Sequence, residues 1–99
     1  MAGHGSFLIN TSRGGIVDDE ELEVALGGGL GGAALDVLEG EPRVPAALRR
    51  RLESKDGNLI ITPHVSFYSD EAFEDCRRQA AEEMARVLTG EAPRYRVSR

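Results

Sequence analysis

Of 99 residues, 40% are apolar and 29% charged, with 12 Lys and Arg against 17 Asp and Glu for a net charge of −5. That balance suits one soluble globular domain at most and leaves no basic face to neutralise a phosphate backbone, so nucleic acid is excluded as an expected partner. No apolar run reaches the roughly 20 residues of a bilayer span, Met1 to Gly5 lacks the pattern of a signal peptide, and the single Cys76 closes no internal disulfide. The expectation is a cytoplasmic protein with no membrane partner and no metal site, because Cys and His do not cluster at ligand spacing.

Phe7-Leu8-Ile9-Asn10 is a short apolar run closed by polar and glycine-rich residues, and it predicts a first strand buried on both faces. Asp18 stands three residues before Glu21, the capping-box spacing, and Val17 and Leu22 are placed for a hydrophobic staple. A helix is expected from about Asp19 to Leu26. Gly31 to Val37, small and apolar after a glycine-rich helix stop, predicts a second strand closed by Gly40 and Pro42. Pro45 suits a first helical position, and a short helix follows with Leu48 and Leu52 inward, Arg49 to Arg51 on the wet side, and an end near Asp56 and Gly57. Asn58 to Thr62 is a third apolar run, stopped by Pro63. From Ser69, apolar residues recur at steps of three and four through Phe73, Cys76, Ala80, Met84, Val87 and Leu88, with Gly90 past the end. This predicts the longest helix, with Phe73, Cys76, Met84 and Leu88 facing a core, followed by an extended tail from Glu91. His4, near the chain start, has no expected role.

Strand, helix, strand, helix, strand, helix with continuous apolar strands implies a parallel sheet with right-handed crossovers. Ligands in such sheets bind outside the carboxyl ends of the strands. Each of those ends carries one group suited to polar chemistry: Arg13, Glu41 and His64. A guanidinium offers a fixed fork of donors to a carboxylate or carbonyl, a histidine passes a proton near neutral pH, and a carboxylate beside it favours the imidazolium. The trio suits proton transfer to an anionic carbonyl substrate. Each member also has a plainer reading: a surface arginine, a solvated loop carboxylate interchangeable with Glu39, and a histidine that satisfies nearby backbone. Gly27, Gly29 and Gly32 form a G-x-G-x-x-G spacing, but it leaves a helix and enters a strand, so it reads as a helix stop rather than a pyrophosphate cradle.

Asn10 to Asp18 (NTSRGGIVD), Gly32 to Val37 with Glu41-Pro42, and Thr62-Pro63-His64 resemble, in order, the closing half of the nucleotide-binding domain of D-isomer-specific 2-hydroxyacid dehydrogenases. The likeness runs from about Phe7 to Pro93, and the continuation Val65 to Ser69 is most similar to the C-terminal-binding-protein corepressors and their bacterial dehydrogenase relatives, with D-lactate dehydrogenases next. The resemblance implies an α/β fold, the second half of a Rossmann-type domain with three parallel strands and three helices. It implies NAD or NADP as cofactor and a small 2-oxo or 2-hydroxy acid as substrate. Arg13 would orient the substrate, His64 would give a proton to the carbonyl oxygen as hydride arrives from the nicotinamide, and Glu41 would hold His64 protonated.

By the same resemblance Thr11, Ser12, Arg13, His64 and Val65 border the nicotinamide, Asp36 binds its carboxamide, and Phe67 shapes the substrate pocket. For Asp36 a purely local role, bonding to backbone N–H groups, stands beside the cofactor role. The family's glycine fingerprint lies upstream of these motifs, so residues 1–99 read as a partial NAD(P)-binding domain without that fingerprint or the substrate domain, with weak or absent cofactor binding and little activity alone. The first strand would then leave an apolar edge, expected to be covered by a homo-oligomer or by a missing N-terminal half. A reading from a different class is a non-catalytic oligomerising or protein-binding module of the corepressor kind.

Overall fold

Three short strands, β1 (Phe7–Asn10), β2 (Gly32–Leu35) and β3 (Leu59–Ile61), pair in parallel in the order β1-β2-β3 in the computed structural model, which describes residues 5–55 and 57–97. The chain divides into two units, Met1–Ser66 and Phe67–Arg99. His4 and Asp56 lie outside the described residues. In the first unit, α1 (Asp19–Gly27) links β1 to β2 and α2 (Ala46–Glu53) links β2 to β3. The register sets Leu8 beside Ala33 and Leu59, and Asn10 beside Leu35 and Ile61. Side chains alternate along a strand, so these six share one face of the sheet.

That face meets the helices. Leu22, Leu26, Leu30, Ala33, Leu35, Leu38, Leu48 and Leu59 form the buried core, with Leu8, Val17, Val44 and Ile61 packed against it. The opposite face carries Phe7, Ile9 and Ile60, which are 77%, 74% and 64% exposed. The expectation that β1 is buried on both faces is therefore corrected. Crossovers of one hand, in a sheet that advances in one direction, place both helices on the same side, and neither helix of this unit covers the opposite face of the sheet.

Local signals act where the sequence places them. Asp18 caps α1 by accepting the N–H groups of Glu20 and Glu21 at 3.0 and 2.9 Å. Gly29, at φ +128°, turns the chain out of α1 while the Leu30 N–H bonds back to the Ala25 carbonyl. Arg51 departs from its expected place on the wet side. It donates through Nε and Nη2 to both carboxylate oxygens of Glu23, at 2.7 and 2.8 Å, and through Nη1 to Asn58 Oδ1. This fork joins α2 to α1 and to the start of β3. Leu52, expected inward, is 38% exposed, whereas Leu48 is fully buried.

In the second unit α3 (Asp70–Leu88) starts at Ser69, whose Oγ accepts the Ala72 N–H. None of its described residues is buried, and Cys76 is exposed. Phe73, Met84 and Leu88 are 39%, 63% and 78% exposed, so the expected core stripe of this helix is uncovered. An apolar stripe becomes a core only when another element covers it, and among the described residues of this unit only an irregular tail follows α3. That tail is tied back, with the Arg94 N–H on Glu83 and Arg86 on Glu91. Among the described residues no helix is long and apolar enough to cross a membrane.

Burial ranks the two leucines of α2. Leu48→Ala should cost about 2–5 kcal/mol and Leu52→Ala about 1 kcal/mol or less in chemical denaturation of the chain. Equal losses would contradict the one-faced core.

Candidate active site

The level register of the sheet brings three loops to its carboxyl edge. After β1 the buried Asn10 shapes the turn: its Oδ1 accepts the Ser12 N–H at 3.1 Å and its Nδ2 donates to the Arg13 carbonyl at 2.9 Å. Arg13 leaves this turn with its Nη1 donating to the Ser12 carbonyl at 2.7 Å. A short 3-10 turn, Gly14–Ile16, follows. A Cβ at Gly14 would run into the backbone of Leu38 and Glu39, so only glycine lets the first loop lie against the second.

The second loop presents Glu41, whose Oε1 accepts the Leu38 N–H at 2.9 Å. The Glu41–Pro42 peptide is cis. Oε2 of Glu41 lies 2.7 Å from Nδ1 of His64 in the third loop. These two contacts, the histidine first, hold the Glu41 carboxyl below its ordinary range. An ionised carboxylate only accepts, so the proton between them sits on Nδ1. Arg13, Gly14, Gly15, Glu39, Glu41 and His64 border one shallow depression. On its other side the Glu41–His64 pair walls a more apolar pocket of about 240 Å³, lined also by Val44, Ile61 and Pro63.

Of the three strand-end residues, Glu41 and His64 are in direct contact and Arg13 lines the depression beside them. Thr11, Ser12 and Val65 lie in the same loops, Val65 being 45% exposed. Phe67 belongs to the second unit, where it meets Tyr68 and Phe73 edge-on at centroid distances of 6.2 and 5.9 Å. Asp36, for which a carboxamide contact and a local bonding role were both expected, makes the local bonds here. It is 5% exposed, and its Oδ1 accepts the Thr62 hydroxyl at 2.6 Å and the Val65 N–H at 3.0 Å. Its Oδ2 accepts the Ser66 hydroxyl at 2.7 Å and the Ser66 N–H at 3.0 Å. A carboxamide would compete with four donors already in place.

The Thr62 hydroxyl bond is the largest of the influences holding the Asp36 carboxyl far below the usual carboxylate range. Asn10, Thr62 and Ser66 have roles that sequence reasoning missed. Their signal was only that polar residues flank each strand end.

The glycines Gly27, Gly29 and Gly32 occupy the carboxyl end of α1 and the start of β2. Helix carbonyls rather than N–H groups converge at such an end, which disfavours phosphate.

Residues 1–66 match the family model for the D-isomer specific 2-hydroxyacid dehydrogenase, NAD binding domain. The match ends where the first structural unit ends. The chain is 45% identical over 82 residues to a D-specific alpha-keto acid dehydrogenase of Enterococcus faecium, a comparison covering 72% of this chain and 25% of the relative. A protein of the same name from Enterococcus faecalis is 44% identical over 87 residues, with the same coverage. The chain spans about a quarter of the length of these relatives. Among solved structures, the apo D-mandelate dehydrogenase of Rhodotorula graminis superposes with a TM-score of 0.69 at 31% identity, over 97% of this chain and 27% of that one. A D-isomer specific 2-hydroxyacid dehydrogenase from Xanthobacter autotrophicus Py2, in complex with NADPH and MES, superposes with a TM-score of 0.68 at 31% identity, over 96% and 37%.

Both site carboxylates are depressed, so their stabilising contacts are complete above the ordinary values, 3.8 for Asp36 and 4.5 for Glu41, and are lost as pH falls through the lower native ones. Side-chain carboxyl 13C shifts followed from about pH 7 to about pH 2 should show Asp36 still ionised where a free aspartate is half protonated. A midpoint at or above the ordinary value would contradict the four-donor arrangement.

Proposed function

Because the chain belongs to the D-isomer specific 2-hydroxyacid dehydrogenase family, matching its NAD-binding domain over residues 1–66, we propose that the Arg13–Glu41–His64 surface is the acid/base end of a site interconverting 2-oxo acids and D-2-hydroxy acids. The observation that carries this reading is the 2.7 Å contact between His64 Nδ1 and Glu41 Oε2, made between two loops beside Arg13. With both side chains partly exposed, such a pair adds little to stability. Its value is orientation and charge.

In the reductive direction Nε2 of His64 gives its proton to the carbonyl oxygen as that oxygen gains negative charge, while Glu41 keeps the resulting Nδ1–H imidazole aligned. Arg13 pairs with the substrate carboxylate and draws the carbonyl toward His64. In the oxidative direction Nε2 accepts the hydroxyl proton. NAD(H) or NADP(H), when bound, supplies or takes the hydride. The residues fit the nicotinamide end of that cofactor: Thr11 and Ser12 bring polar edges, and the half-exposed Val65 offers an apolar face to a ring. The chemistry of the Gly27 to Gly32 segment does not fit the pyrophosphate end. One structural relative carries NADPH and another, from Lactobacillus delbrueckii ssp. bulgaricus, is an NAD complexed form, so the proposal includes both cofactors. A role for Phe67 in selecting the substrate side chain rests on family resemblance.

The outer edge of β1, which no strand among the described residues pairs, and the apolar face beside it support a larger assembly, with a second copy or with the remaining part of such a domain. Light scattering should find more than one copy of this chain per particle, or a complex when the remaining part of such a domain is supplied, and a free monomer under both conditions would overturn that part.

The chemistry is tested by NADH oxidation with pyruvate and phenylpyruvate, together with chemical-shift mapping of the same acids on labelled protein. His64→Ala should lower turnover about 10²- to 10⁴-fold and leave the fold intact. Arg13→Ala should weaken binding of the acids, seen in the shifts of residues 11–15 and 64–66. Measurable NADH oxidation left unchanged by His64→Ala, or acids that bind elsewhere, would remove the assignment.

A further inference from the structure

His64 carries the working nitrogen of the site, yet its backbone sits at φ +54°, the left-handed region that non-glycine residues rarely adopt. Such a conformation is strained and persists only where the surroundings impose it. The neighbours on both sides of His64 show what imposes it. Its own N–H bonds to the Thr62 carbonyl at 3.0 Å, closing a tight turn over Pro63. Immediately after it, the N–H groups of Val65 and Ser66 converge on the two oxygens of Asp36, at 3.0 Å each. The hydroxyls of Thr62, two residues before, and Ser66, two residues after, close on the same carboxylate at 2.6 and 2.7 Å. One buried carboxylate thus holds both ends of a five-residue loop whose centre is His64.

We propose that Thr62 and Ser66, acting through the Asp36 carboxylate, are positioning residues that hold His64 in its left-handed conformation and so keep Nδ1 aimed at Glu41. Both hydroxyls bond to Asp36 rather than to the His64 ring. Their effect passes through the backbone: with both ends of the loop pinned, the ring has one approach to Glu41 rather than several. The hydroxyls also complete the acceptor capacity of Asp36, so its charge is spent on the loop. For the chemistry, the inference rests on the acid/base reading of His64 given above, but its geometric content does not.

The test uses the full chain labelled with 15N. The Nδ1–H resonance of His64 reports the contact with Glu41, and amide exchange at Val65 and Ser66 reports the pinning. Thr62→Val keeps shape and removes one hydroxyl donor, Thr62→Ser restores it, and Ser66→Ala removes the other while leaving its N–H. Thr62→Val and Ser66→Ala should each speed exchange at Val65 and Ser66 by about fivefold or more, the size of one net hydrogen bond. Each should also broaden or erase the His64 Nδ1–H resonance, and Thr62→Ser should bring both back. A merely stabilising role would lower the melting temperature and leave the His64 resonance in place, which would overturn the proposal, as would unchanged exchange. If Thr62→Val does not fold, Ser66→Ala decides, because three of the four donors remain. Loss of the resonance combined with full turnover in His64→Ala would overturn the acid/base reading and leave the positioning role standing.

Discussion

At the carboxyl edge of the sheet a single side chain gathers the bonds on which the site depends. Asp36 follows β2, and its backbone N–H extends the ladder to the Asn10 carbonyl of β1, while its carboxylate takes four donors from the loop after β3. One residue therefore joins the ends of all three strands. A buried carboxylate without partners would be costly; here charge-assisted bonds from two hydroxyls and two amides replace water. The strained backbone of His64 is tolerable because this residue, already fixed by the sheet, over-determines the loop around it.

From that point the site follows by short steps. Parallel pairing in an even register sets the strand ends level, and the glycine at position 14 lets the first two loops touch. Glu41 is anchored by the Leu38 N–H before it meets His64, so the pair is oriented from both sides. Far from the site, Arg51 performs a comparable task for the scaffold by joining Glu23 of α1 to Asn58 ahead of β3. Both are cases of one side chain, with several directed bonds, doing what a small core of about a dozen apolar residues does not do alone.

The two faces of the sheet have different fates. One is sealed by α1 and α2, and the other presents Phe7, Ile9 and Ile60 to solvent. The curated relatives that this chain matches are about three times as long, and they are dehydrogenases by name. The bonds that shape the loop around His64 lie within residues 36–66, while the sheet beneath them is covered on one side.

What the residues determined by themselves is local. Asp18 and Ser69 cap their helices because each carries an acceptor one step before a helical run, and Pro63 stops β3 because it has no N–H to give. Arg13, Glu41 and His64 were legible as a group because alternating strands and helices send all strand ends to one edge, whatever the packing. Tertiary structure decided the rest. An apolar run such as Phe7 to Asn10 has the same appearance whether one face or both are covered, and the periodic stripe of α3 does not say what meets it. Arg51 and Glu23 are 28 residues apart, and Thr62 and Ser66 lie 26 and 30 residues from Asp36. Bonds of that span depend on direction and distance in space, which no local pattern of residues encodes.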